Sequence, residues 1–245
     1  LLAKRAAGLL FDVKDARRRA WDPPSGSLVP QRLAQVRREI VRMPGRIAGF
    51  AGDVSAEEAA QWTALVLPPV AAAVPANLAP QFLPSATALP ARTEVRIPKL
   101  TQVFYWLGRE SLPIDSPDYP ALMIASEILG GHFYSRLFVA LRHESGDTYG
   151  ASNRLPAGKE TSLFALTTFT RAGNAVEVER KLREVLRRFH DDGITAEELV
   201  ESQGAISGRR AFARQAPGQV LSGALWELSR GLPRGLRDEL AAKAE

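Results

Sequence analysis

The 245-residue chain has no cysteine, three histidines and two methionines. Without a thiol there is no disulfide scaffold, no iron–sulfur cluster, no cysteine nucleophile and no thiolate zinc site. No apolar run approaches the roughly 18–20 residues that cross a bilayer as a helix, so no membrane span is expected. The histidines, His132, His143 and His190, are 11 and 47 residues apart. A helical zinc pair needs two imidazoles one turn apart on one face, and neither HxxEH nor its inverted form occurs. No metal ligand is therefore expected in this chain. A GxSxG elbow is also missing, since Gly150-Ala151-Ser152-Asn153-Arg154 fails at its last position. Walker and GxGxxG loops are absent, which leaves Gly130-Gly131 as at most a weak anion nest.

What is present is an ordinary globular composition, 45% hydrophobic and 24% charged. A chain of this length buries about 70% of its unfolded surface, as one large domain or two modest ones. The net charge is +5 and the sequence pI about 9.8. Arginine supplies 26 of the 32 basic residues, in clusters such as Arg17-Arg18-Arg19, Arg37-Arg38, Arg187-Arg188 and Arg209-Arg210. Each cluster falls on a polar helix face with acidic neighbours, the pattern of a solvated surface, so no nucleic-acid partner is expected. Leu1 opens in what reads as the middle of an amphipathic helix, and Asp12, Lys14 and Asp15 stand where a signal cleavage site needs small residues. The last residues, Glu239–Glu245, also stop inside helix-like sequence. Both ends are expected to be cut, and the compartment stays open between bacterial periplasm and cytoplasm.

Pro30 suits the first turn of a helix through about Arg42, with Leu33, Val36, Ile40 and Val41 on its apolar side. Arg46 to Val54 reads as a short strand. Ser55 with Glu58 forms a capping box that opens a helix to about Leu67. From Pro68 to Pro98 seven of 31 residues are proline, the composition of an extended interdomain linker. Thr101–Leu107 reads as a buried strand. Helices are expected from Ser116 to Leu129 and from Ser135 to His143, separated by Gly130-Gly131. Strands follow near Thr148–Leu155 and Thr161–Thr170, then a helix over Ala175–Asp191 and another opened by the Thr195/Glu198 capping box. This order predicts an α+β fold with helices on a largely antiparallel sheet.

Residues 129–150 read Leu-Gly-Gly-His-Phe-Tyr-Ser-Arg-Leu-Phe-Val-Ala-Leu-Arg-His-Glu-Ser-Gly-Asp-Thr-Tyr-Gly. This stretch resembles the signature of the pitrilysin/insulinase family of zinc metallopeptidases, including the processing-peptidase type, in its C-terminal-type domain ("LGG.F.SRLF..LR...G.TYG"). Gln102, Pro117-Asp118 and the GDVSAEE of residues 52–58 also fit, and the proline-rich linker falls where that family joins two similar domains. The resemblance implies two related α+β domains: residues 1–67 as an incomplete first domain, 68–98 as linker, and 99–245 as a C-terminal-type domain truncated at its end.

In such peptidases a domain carrying HxxEH holds the zinc, and the later domain contributes an arginine and a tyrosine seven residues apart. Arg142 and Tyr149 stand at that spacing. The resemblance thus implies that Arg142 binds a substrate carbonyl and Tyr149 donates to the developing oxyanion. Taken alone, Arg142 equally well caps helix carbonyls and pairs with Glu144, and Tyr149 equally well serves as an ordinary strand aromatic. Ser135, Arg136 and Phe138 are expected to fix a helix start and pack the core. With HxxEH missing, zinc belongs to the complete assembly, held by a missing N-terminal segment or by a separate HxxEH-bearing subunit of a heterodimer. The chain then supplies the Arg/Tyr pair for a peptide substrate and is inactive in isolation; the alternative is a non-catalytic scaffold subunit. A free sheet edge near Thr161–Thr170 is a further expected site for strand addition of an extended peptide.

Overall fold

A computed structural model describes residues 29–42, 45–67, 92–95, 97–161 and 163–245. Most of the expected linker, 68–91, and the N-terminal segment through residue 28 lie outside the described residues.

Two helices come first. Helix α1 spans Pro30–Arg42 and α2 spans Ala56–Val66. The capping box of α2 forms as the sequence predicts: Ser55 Oγ accepts the Glu58 N–H at 3.2 Å, and Glu58 Oε2 accepts the Ser55 N–H at 2.9 Å. The expected strand over 46–54 does not form. A strand needs a partner for its backbone groups, and this segment instead runs against a later helix. A Cβ on Gly49 would stand 2.5 Å from Leu221 Cδ1.

The sheet has three antiparallel strands: β1, Gln102–Glu110; β2, Ala151–Arg154; and β3, Leu163–Arg171. Their spatial order is β1-β3-β2. The edge expected at 161–170 is therefore corrected, because β3 pairs on both sides and the outer strands are β1 and β2. Strand alternation sends Tyr105, Leu107, Leu166 and Ala151 toward the helices. The opposite face carries Phe104 stacked on Phe169 at 5.6 Å, and Trp106, whose indole lies over Gly108.

Helix α3, Tyr119–Ser126, continues into a π-helical segment, Glu127–Gly131. The short α4, Arg136–Phe138, likewise runs into a π segment, Val139–His143. After β3 come α5, Ala175–Asp191, and α6, Ala196–Phe212, with the Thr195/Glu198 capping box in place. Two further helices complete the fold: α7, Pro217–Ser229, which the sequence reading did not resolve, and α8, Leu236–Ala244, which takes in most of the helix-like end at Glu239–Glu245.

The main core lies between the sheet and α4/α5, built on Leu129, Leu137, Leu141, Leu166, Val178 and Leu182. Val178 and Leu182 are one turn apart, and Val185, Leu186 and Phe189 extend their stripe, as the helical period requires. A second cluster, Ile114, Tyr119, Leu232 and Leu240, joins α3 to α8. The fold is α+β, with helices on an antiparallel sheet, as expected.

Candidate functional site

The Gly130-Gly131 step brings the end of the α3 π segment against β2. A Cβ on Gly130 would stand 2.9 Å from the Asn153 amide nitrogen, and one on Gly131 would stand 2.6 Å from Glu127 Oε2. Close packing therefore explains both glycines, with no need for an anion. Glu127 is buried and accepts Arg209 Nη1 at 2.8 Å, tying this segment to α6.

Ser135 then starts α4, buried to 1% exposure, and Arg136 turns outward along α5. Its guanidinium donates to both Glu198 carboxylate oxygens at 2.6 and 2.7 Å and to the Gly193 carbonyl at 2.7 Å, above the Phe189 ring. The fork geometry of arginine suits this bidentate pairing. The Arg136 contact holds the Glu198 carboxyl below the usual carboxylate range. Arg136 thus fixes the start of the helix, as expected from the sequence, and does not face an open site.

The π segment ends at His143, and the chain reverses through Gly146, whose φ of +63° lies in the left-handed region that glycine tolerates. The Gly146 N–H donates to the Arg142 carbonyl at 3.1 Å, and the Asp147 N–H donates to the Leu141 carbonyl at 3.1 Å. Ser145 Oγ donates to the Ala140 carbonyl at 3.0 Å. Asp147 accepts Lys181 Nζ at 2.6 Å, from the second turn of α5, and Asn174 Nδ2 at 3.1 Å, from the residue that precedes that helix. The Lys181 ammonium holds the Asp147 carboxyl below the usual carboxylate range. Buried Thr148 bonds through its hydroxyl to both backbone groups of Gly150.

Arg142 and Tyr149 stand at the two ends of this turn. Tyr149 is 83% exposed and lies just before β2, not within a strand as the pattern of 148–155 predicts. Arg142 is exposed, with its guanidinium 4.9 Å from the centre of the buried Phe138 ring. Among the described residues neither side chain makes a hydrogen bond or an ion pair, and the alternative Arg142–Glu144 pair does not form. Phe138 also contacts Phe133 and His143 edge-on, at 4.9 and 5.2 Å between ring centres. Phe133 and Tyr134 are 65% and 77% exposed, an aromatic surface that sequence patterning alone did not single out.

The histidines do not gather. His132 Nδ1 accepts the Tyr134 N–H at 3.0 Å, His143 sits in the ring cluster, and His190 contacts Asp191 on the outside of α5. Among the described residues no group of three or more His, Asp or Glu side chains is arranged to hold a metal ion. The residues present here do not fit a zinc site.

Residues 31–205 match the Peptidase M16 inactive domain. The chain belongs to this family. It is 23% identical over 121 residues to an uncharacterized zinc protease, YmxG, of Bacillus subtilis, an alignment covering 49% of this chain and 30% of that protein. Its fold is similar to a peptidase M16 inactive domain from Pseudomonas fluorescens, with a TM-score of 0.70 and 20% identity over 99% of this chain and 57% of that one. A protease from Helicobacter pylori is similar with a TM-score of 0.67 and 17% identity, over 79% of this chain and 47% of that one. The chain spans less than two thirds of the length of each of these relatives. The M16 inactive domain is thus the setting of the Arg142–Tyr149 turn.

Proposed function

We propose that this M16 inactive domain is the arginine- and tyrosine-bearing part of a zinc metalloendopeptidase, acting next to a zinc site carried by another segment or by an HxxEH-bearing subunit. In this reading residues 1–67 are the later part of a first α+β domain and 99–245 the following C-terminal-type domain. Arg142 binds a carbonyl of the peptide substrate, and the Tyr149 hydroxyl donates to the oxygen that gains charge during cleavage.

The observation that carries the proposal is the state of those two side chains. Both are exposed and lack a hydrogen-bond partner among the described residues, yet they flank a turn whose backbone bonds back to residues 139–142 and whose Asp147 carboxylate is held by Lys181. Polar groups held ready on a fixed backbone, with no internal partner, suit recognition of something outside the chain.

The test is peptide cleavage by the chain co-expressed with an HxxEH-bearing partner. Tyr149→Phe is expected to lower kcat by about 10²–10³, the usual loss for one oxyanion donor. Arg142→Ala is expected to lower kcat/KM at least as far. The family's description as an inactive domain favours a second reading, a scaffold subunit that retains the fold for assembly. Under that reading both variants cleave at the wild-type rate while the complex still assembles.

A further inference from the structure

The turn between Arg142 and Tyr149 is anchored by one charged contact that the reaction itself does not require. Asp147 has a side chain only 10% exposed, and Lys181, its partner at 2.6 Å, is 23% exposed. The same carboxylate accepts Asn174 Nδ2 at 3.1 Å. The Asp147 carbonyl accepts Thr170 Oγ1 at 2.7 Å, from the end of β3. One residue therefore joins the turn to α5 through its side chain and to the sheet through its backbone. It stands five residues after Arg142 and two before Tyr149.

We infer that Asp147, through Lys181, is a positioning residue that sets where Tyr149 stands relative to Arg142. The inference rests on the reading of Arg142 and Tyr149 given above. Seven residues with a glycine at the reversal have many backbone conformations, and only a fixed one presents the two groups to the same peptide. Early in the turn the Glu144 N–H donates to the Val139 carbonyl, and the N–H groups of Gly146, Asp147 and Thr148 then bond back to the carbonyls of residues 141 and 142. Beyond these backbone bonds, the second half reaches α5 and β3 through the side chain and carbonyl of Asp147 and the hydroxyl of Thr148. A charge-assisted bond of low exposure is stronger than a neutral one and has a defined direction. At the start of α4, Arg136 is bound to Glu198 of α6 and to the Gly193 carbonyl between α5 and α6, while Asp147, after the π segment, is bound to Lys181 of α5.

The test has two arms. In the first, 3-fluorotyrosine replaces tyrosine in the full chain, and the ¹⁹F resonance of position 149, assigned with Tyr149→Phe, is compared between variants. Asp147→Asn and Lys181→Met are expected to shift or broaden that resonance, and Lys181→Arg to restore it. The Tyr105 resonance, from the core side of β1, is expected to stay in place. In the second arm, the same variants in complex with the HxxEH-bearing partner are expected to lose about tenfold or more in kcat, with little change in KM, and Lys181→Arg to recover most of the loss. Arg180→Ala, which removes an exposed pair with Glu177 on the same helix, serves as control for a merely structural change. An unmoved Tyr149 resonance, or a kcat loss no larger than that of Arg180→Ala, overturns the inference. Should Asp147→Asn fail to fold, Lys181→Met carries both arms. If cleavage is indifferent to Arg142→Ala and Tyr149→Phe, the functional reading fails, and the ¹⁹F arm still decides whether Asp147 sets the position of the phenol.

Discussion

Arg136 and Gly108 are two residues whose roles are fixed by what touches them. Arg136 combines a bidentate carboxylate contact, a backbone carbonyl and an aromatic face in one guanidinium. Arg136→Ala is expected to cost roughly 1.5–3 kcal/mol, the range for hydrogen bonds to charged groups, measured by urea unfolding. The same pair carries a pH signature. The Glu198 carboxyl is held below its ordinary value, with Arg136 as the main cause. Its contribution is fully present above the ordinary glutamate pKa of about 4.3 and is lost as pH falls through the lowered value. The stability difference between wild type and Glu198→Gln should therefore be constant from pH 7 to about pH 5 and shrink on further acidification. Gly108 lies just beyond the strand expected from the sequence, which ends at Leu107, and within the observed β1. In the fold, a Cβ there would meet the Phe164 carbonyl and stand 2.7 Å from the Trp106 ring. Gly108→Ala should destabilise by about 1–3 kcal/mol, as overpacking does, and thermal unfolding would register it.

Local signals set most of the elements. Proline at a helix start, two capping boxes and a repeating apolar stripe place α1, α2, α5 and the start of α6 where the sequence predicts them. The exceptions have tertiary causes. The segment 46–54 has strand composition, but it packs on α7 and has no ladder partner among the described residues. The two π segments follow no residue pattern, and in the first Gly130 departs from helical geometry (φ −162°, ψ 19°) where it packs on β2. Helix α8 is capped from a distance. Glu227 on α7, only 5% exposed, accepts the Gly235 N–H at 2.8 Å and the Arg237 N–H at 3.1 Å. A carboxylate there satisfies free helix donors and complements the helix dipole. Glu227→Ala is expected to cost roughly 1–3 kcal/mol and to speed amide exchange in α8 first. Glu227→Gln, which retains an acceptor, should lose less.

For the whole molecule, the family and the α+β class agree with the sequence reading, and the M16 inactive domain carries no residue set suited to zinc among its described residues. Purified alone, the chain is expected to retain no stoichiometric zinc by elemental analysis and to cleave no peptide. Stoichiometric zinc at any of the three histidines would contradict this. The signature that marks the candidate site was fully visible as residue types, and so was the spacing of Arg142 and Tyr149. Their setting was not, because Asp147, Lys181, Asn174 and Thr170 come from positions 147 to 181 and meet only when α5 packs beside the turn. The aromatic surface of Phe133 and Tyr134 was equally hidden, since sequence does not separate a core ring from an exposed one.

Composition, turn residues and helical periodicity by themselves determined the α+β class and most helix boundaries, because each depends on contacts within a few residues of chain, while the family was legible as the resemblance carried by residues 129–150. Strand order was decided only by the tertiary structure, which places β3 in the centre, paired with β1 over 163–171 and with β2 over 165–168. So were the fate of 46–54 and the anchoring of the Arg142–Tyr149 segment to α5 through Asp147. These depend on which distant backbone groups and charges meet, and in one dimension no local preference records that.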